Sequence, residues 1–247
     1  MATQLSMVIM ISMLAFAMPA AIKPKSCLQE KLVSGTLQNG YFILYDKNNQ
    51  PYTTFCDFHS DPGFVWTLVE SLSLTNSRKA KYRKSFDYNA PTPSCTRINW
   101  QEYRLSTATM KSIKNARGST HYRATCNFNP DDIKGIHNHR DYLRVSSCNY
   151  QWFFKSSKAY HCTKVDYVNI RGHTCRQCSI PIWDGGNSFH LLIHVNYAAG
   201  KCDKWVVPGL NGHEYAFGDY LFKNPNFSCS KSSTSTTNWW IGGSYIA

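Results

Sequence analysis

Nine histidines and ten cysteines are the residues of this chain best suited to hold a metal or supply a nucleophile. His190 and His194 have the spacing that places two imidazoles on one face of a helix. The segment around them alternates instead. Phe189, Leu191, Ile193 and Val195 fall on one side; His190, Leu192, His194 and Asn196 fall on the other. That is strand periodicity with one half-buried face, which sets the histidines apart along the strand. No HExxH glutamate accompanies them, so the pattern predicts surface or half-buried strand histidines and not a zinc hydrolase. His173-Thr174-Cys175-Arg176-Gln177-Cys178, with His161-Cys162 upstream, is the more metal-like spacing. In an oxidising compartment the same residues form two separate disulfides with different partners, and that is the expectation here. His137-Asn138-His139 has no acidic residue at a recognisable spacing. Asp131, Asp132 and Asp219 stand isolated, short of the roughly six or more oxygens that calcium takes. There is no Gly-x-Ser-x-Gly elbow and no phosphate-cradling glycine loop, and nothing orders Ser, His and Asp into a triad. The expectation is a non-enzymatic chain without catalytic residues, metal or cofactor.

Composition says where such a chain works. Residues 1–21 carry no Asp, Glu, Lys or Arg. Their apolar run, Met7 to Phe16, is too short to cross a bilayer and leads into Ala17, Ala20 and Ala21. This reads as a secretory signal cleaved after a residue between 17 and 21, leaving 22–247 as one domain. No later run is as apolar, so no membrane span is expected. Cys27, Cys56, Cys95, Cys126, Cys148, Cys162, Cys175, Cys178, Cys202 and Cys229 all follow the signal, enough for five disulfides. The formal charge is +12. A basic secreted protein meets acidic matrix proteins, polyanionic glycans and carbonate mineral, while its compartment argues against nucleic acid. The densest basic run is Arg78, Lys79, Lys81, Arg83 and Lys84. It reads either as a contact for such polyanions or as a loop whose charges face water. Asn226-Phe227-Ser228 is the one glycosylation sequon.

The elements that would position these residues are short. Tyr41 to Tyr45 and Tyr52 to Phe55 flank the polar turn Asp46 to Pro51 as a hairpin, and a strand follows at Trp66 to Val69. Ser106 caps a helix that runs to Arg117 and stops at Gly118. His121 to Phe128, Tyr142 to Val145, Tyr150 to Phe154 and Lys164 to Ile170 read as strands. The Ser/Thr-rich stretch before Trp239 reads as a flexible or O-glycosylated loop, and Trp239-Trp240 as either an exposed aromatic sugar platform or, the favoured reading, a core plug with at least one ring buried because neighbours on a strand face opposite ways. Many short strands and one or two helices make an α+β domain.

One stretch carries a resemblance. Cys27, a Ser34-Gly35 turn, a strand with Tyr41, a second strand ending in Cys56-Asp57-Phe58, and Trp66-Thr67 after Gly63 together resemble the start of a fibrinogen C-terminal-like domain. Asn238-Trp239-Trp240 is similar to that family's double-tryptophan segment. Tyr103 to Ser106, Tyr122 to Cys126, Asn169 to Cys175 and Ser235 to Trp240 are similar to secreted fibrinogen-related proteins of cnidarians, a group that includes skeletal matrix proteins of stony corals. The chain departs from the pattern in having Gly63-Phe64-Val65-Trp66 for the family's Gly-Gly-Gly-Trp. The calcium-loop aspartates and the cysteine after the double tryptophan are not found. The resemblance implies a disulfide-stabilised fibrinogen C-terminal-like domain with short antiparallel strands and few helices, and it implies a Cys27–Cys56 pair. It also implies a secreted extracellular matrix protein of a calcium carbonate skeleton, with a glycan-binding lectin as the alternative.

Overall fold

The structure is a computed structural model that describes residues 22–93, 98–129, 141–149, 154, 161–184, 189–195, 202–203, 205–209 and 212–245. Ser26 lies in extended backbone, and its hydroxyl accepts the Gln29 amide at 3.3 Å, starting helix α1, Cys27–Ser34. Gly35 ends that helix at φ 71°, its amide on the Lys31 carbonyl at 2.9 Å. A residue with a Cβ resists that left-handed conformation, so the Ser34-Gly35 turn is a helix C-terminus. The hairpin follows as β1, Gly40–Tyr45, and β2, Pro51–Asp57, paired from Tyr45 opposite Pro51 to Gly40 opposite Cys56. Its turn is closed by the Asp46 carboxylate, which accepts the Asn48 and Gln50 amides at 2.8 and 2.9 Å, with Asn49 at φ 61°. Asparagine tolerates that geometry. Cys27 is bonded to Cys56, which fixes the start of α1 to the hairpin.

The remaining elements are β3 (Phe64–Ser73), α2 (Leu74–Ser77), β4 (Glu102–Arg104), α3 (Thr107–Lys114), β5 (His121–Cys126), β6 (Tyr142–Ser146), β7 (His161–Ile170), β8 (His173–Trp183), β9 (Leu192–His194), β10 (Tyr215–Ala216) and β11 (Thr236–Ser244). They form one antiparallel sheet in the order β1-β2-β3-β11-β5-β6-β7-β8-β9-β10, with β4 also on β3. The architecture is mostly antiparallel sheet with few helices and four disulfides among the described residues. As the sequence predicts, Ser106 caps α3, its hydroxyl accepting the Thr109 amide at 3.0 Å. The helix ends earlier than expected, at Lys114, and Gly118 turns the chain beyond it at φ 88°.

β11 lies in the middle of the sheet, between β3 and β5. A strand there has both faces covered, so both tryptophans of the pair are buried although neighbours on a strand face opposite ways. A register shift falls between them. Trp239 Nε1 donates to the Phe217 carbonyl at 2.9 Å, and Trp240 Nε1 to Thr125 Oγ1 at 3.0 Å. A buried indole therefore leaves no orphan donor here. The strand passes close to its neighbours: a Cβ on Gly242 would lie 2.0 Å from the Val65 carbonyl oxygen, and one on Gly243 1.8 Å from that of Gly118. The Ser/Thr stretch is no free loop at its end, because Ser235, Thr236 and Thr237 are buried where it enters β11.

Two further expectations need correction. Cys175 and Cys178 are bonded to each other and not to different partners, while Cys162 pairs with Cys202 and Cys126 with Cys229. Gln177 takes φ 49° and bends β8, bringing the two Cα atoms to 6.2 Å. Three residues of straight strand would span about 10 Å. Cys148 is unpaired and exposed, and Cys95 lies outside the described residues. Around His190 the alternation does not mark a half-buried face. Residues 190–195 are buried on both sides, and the strand proper is only Leu192–His194. Glu70 covers His190, and His213 and Tyr215 cover His194, so the polar side is packed too.

Candidate functional site

Charge is divided between the inside and the outside of this fold. Of the thirteen described Asp and Glu, seven are buried: Asp57, Asp61, Glu70, Asp141, Asp184, Glu214 and Asp219. Burial of an unpaired carboxylate is prohibitive, so each needs partners. Asp57 on β2 meets Arg123 of β5 at 2.8 Å and also accepts the Ser60 hydroxyl and the His59 and Ser60 amides. Burial works to raise this carboxyl, but the Arg123 charge and the Ser60 bonds outweigh it and hold the group below the usual carboxylate range. Glu70 takes Arg104 at 3.1 Å and His190 at 2.7 Å. Asp61 takes Arg144 at 2.9 Å and the Tyr142 hydroxyl at 2.6 Å. Glu214 takes Arg171 at 2.7 Å, and Asp219 takes Arg83 through two bonds of 2.9 and 3.0 Å. Asp57–Arg123 and Glu70–Arg104 tie strands of the sheet to one another, and the other pairs fix the loops and turns around it.

The exterior is left basic. Among the described residues, eighteen Lys and Arg are at least partly exposed against six Asp and Glu: Glu30, Asp46, Asp87, Glu102, Asp166 and Asp203. The run at 78–84 contributes less to this than its composition promises. Lys79 and Lys81 both meet Glu102, at 3.0 and 3.5 Å, and Arg83 is taken by Asp219. Among the described residues no carboxylate lies within ion-pair range of Arg78 or Lys84.

Arg78, just past α2, faces a cleft of about 370 Å³ with Lys223 and Lys231. Thr75, Ser230, Ser232 and Ser233 add hydroxyl-bearing residues to its lining, and no described carboxylate lines it. Lys223 and Lys231 have no described carboxylate partner either. Three unpaired cations beside hydroxyl donors make a site for anionic groups presented from outside. Lys223 and Lys231 carry no local signal in the sequence. They reach Arg78 because Ser233 and Ser235 hand their carbonyls to the Thr75 and Leu74 amides, pinning the approach to β11 against α2.

The other candidates fall elsewhere. His190 belongs to the Glu70 pair, while His194 meets His213 at 3.4 Å. Burial, and then the charge of His213, hold the His194 imidazole below its usual value. No cluster of three or more metal-ligating side chains occurs among the described residues. Asp219 is committed to Arg83, and Asn226 is exposed in a turn. Residues 1–21, Asp131, Asp132, His137, His139 and most of Tyr150 to Phe154 lie outside the described residues. No described helix is long and apolar enough to cross a membrane. No family model matches the chain, and a search of curated proteins finds no match.

Proposed function

We propose that this chain is a secreted, non-enzymatic extracellular matrix protein that holds polyanions on its basic exterior. The observation that carries the reading is the partition of charge: buried carboxylates are consumed by the sheet, and exposed cations outnumber exposed acids three to one among the described residues. The Arg78–Lys223–Lys231 cleft is where that excess is locally uncompensated. Its partners are acidic matrix proteins and polyanionic glycans. A carbonate mineral surface would be met through them.

The setting, the organic matrix of a calcium carbonate skeleton, rests on the resemblance to fibrinogen-related proteins of cnidarians. The Cys27–Cys56 bond closing α1 onto the β1–β2 hairpin supports that resemblance. Four disulfides suit an oxidising compartment, and the exposed Asn226 suits a glycan acceptor. Co-precipitation with acidic extract of decalcified skeleton across a salt series tests the proposal. Retention at low salt and release as salt rises is the expected result. Retention that ignores salt, or no retention at any salt, would contradict it.

A further inference from the structure

A second cleft, of about 720 Å³, lies on a different part of the surface and has different chemistry. Helix α3 supplies one wall through Ala108, Lys111, Ser112 and Asn115, whose spacing puts them on one helical face. Lys25, just before α1, and Lys47, in the hairpin turn, also line it, and the Cys27–Cys56 bond ties the elements that carry them.

Three features point to a ligand. The first is charge. Lys25 and Lys47 have no carboxylate in ion-pair range among the described residues, while Lys111 shares Asp87 at 3.0 Å, so the lining carries a surplus of two positive charges. The second is a free donor. In the first turn of α3 the Thr107 amide is taken by Asn89 at 3.0 Å and the Thr109 amide by Ser106 at 3.0 Å. The amide of Ala108, an exposed residue between them, has no described partner and lies at the positive end of the helix. The third is Ser112, 5% exposed, whose hydroxyl has no hydrogen-bond partner. A buried hydroxyl in that state destabilises the fold until something supplies the missing bond.

We propose that this cleft binds a sugar unit carrying a carboxylate or a sulfate ester. The anionic group sits against Lys25, Lys47 and the Ala108 amide. Ring hydroxyls are met by Asp87, Asn115 and Ser112, a mixed set that a bare inorganic anion would leave unused. The volume falls within the range of about 300–1,000 Å³ typical of small-molecule sites. None of these residues belongs to the Arg78 cleft, so this proposal and the polyanion surface stand or fall separately.

Titration calorimetry on the disulfide-intact protein at about 0.15 M salt, where weak long-range attraction is screened, tests it. The probes are a chondroitin sulfate tetrasaccharide, its desulfated form, which keeps the carboxylates, and neutral cellotetraose. Saturable binding of at least one anionic probe is expected, with cellotetraose about tenfold weaker or worse, a difference of about one ion pair's contribution. Loss of affinity on desulfation would identify the sulfate ester as the group read, and retention would identify the carboxylate. Lys25→Ser with Lys47→Ser should weaken binding about tenfold. Ser112→Ala should weaken it about threefold while leaving Tm unchanged or raised, because the hydroxyl has no bond to lose in the free protein. All titrations use the Arg78→Ser, Lys223→Ser, Lys231→Ser background, so that the other cationic cleft adds nothing to the affinity read here. The proposal is overturned if no anionic probe binds, if cellotetraose binds as well, or if binding survives the Lys25/Lys47 change.

Discussion

Arg123 and Arg78 carry the same guanidinium in opposite settings. Arg123 is fully buried in the middle of the sheet, 2.8 Å from Asp57 and stacked between Trp66 and Trp240 at 4.8 and 4.3 Å. Arg78 is exposed beside Lys223 and Lys231 with no described carboxylate in range. The first has its charge cancelled and its hydration replaced by an acid and two aromatic faces. The second keeps its charge for whatever arrives from outside. A count of basic residues cannot separate the two. What separates them is whether the fold has placed an acid against each one, and this fold places most of its carboxylates on structural duty.

Substitutions at the two ends of the comparison should behave differently. Arg123→Met leaves Asp57 buried without its cation and should cost about 3–5 kcal/mol in chemical denaturation. Adding Asp57→Asn should recover part of that loss, because the amide carries no charge to bury. The triple change Arg78→Ser, Lys223→Ser and Lys231→Ser should alter stability by no more than about 0.5 kcal/mol. If the triple change unfolded the protein, the division between structural and available charge would be broken.

Acid sharpens the same contrast. Because the Asp57 carboxyl is held below its usual value in the fold, it contributes stability that is present above the unfolded value, about 3.9, and is lost as pH falls through the folded one. Arg123→Met removes the charge that holds this carboxyl down while burial still pushes it up, so the Asp57 share of that acid loss should shrink or reverse. A smaller effect belongs to His194, whose imidazole is held below its usual value by burial and by His213. Its contribution is complete above about pH 6.5 and falls as pH drops beneath that. A melting series from pH 8 to pH 5 should show a modest decline that His194→Gln flattens, while the Arg78 triple change leaves the decline as it was.

Local chemistry was legible in the sequence, and long-range pairing was not. The hairpin turn is written in Asp46, Asn48 and Asn49, and the start of α3 in Ser106, because each acts on residues a few positions away. α1 was missed because CLQEKLVS carries little apolar periodicity and only Cys27 and Leu28 are buried. The place of β11 in the middle of the sheet depends on β3 and β5, far back along the chain, so the burial of both tryptophans could not be read from their neighbours. Arg83 meets Asp219 across a separation of 136 residues, which is why the 78–84 run looked freer than it is. The unpartnered hydroxyl of Ser112 and the cation pair of Lys25 and Lys47 emerge only once α1, the hairpin and α3 are assembled.

The central claim is that uncompensated surface cations, and not the buried ones, bind polyanions. It is tested most directly by the slope of log affinity against log salt for a sulfated glycosaminoglycan. Each cation that displaces a counterion from the polyanion contributes a little under one unit to that slope. The Arg78/Lys223/Lys231 triple change should therefore make the slope shallower by about two to three units with the fold intact. An unchanged slope and affinity in the triple variant would contradict the account.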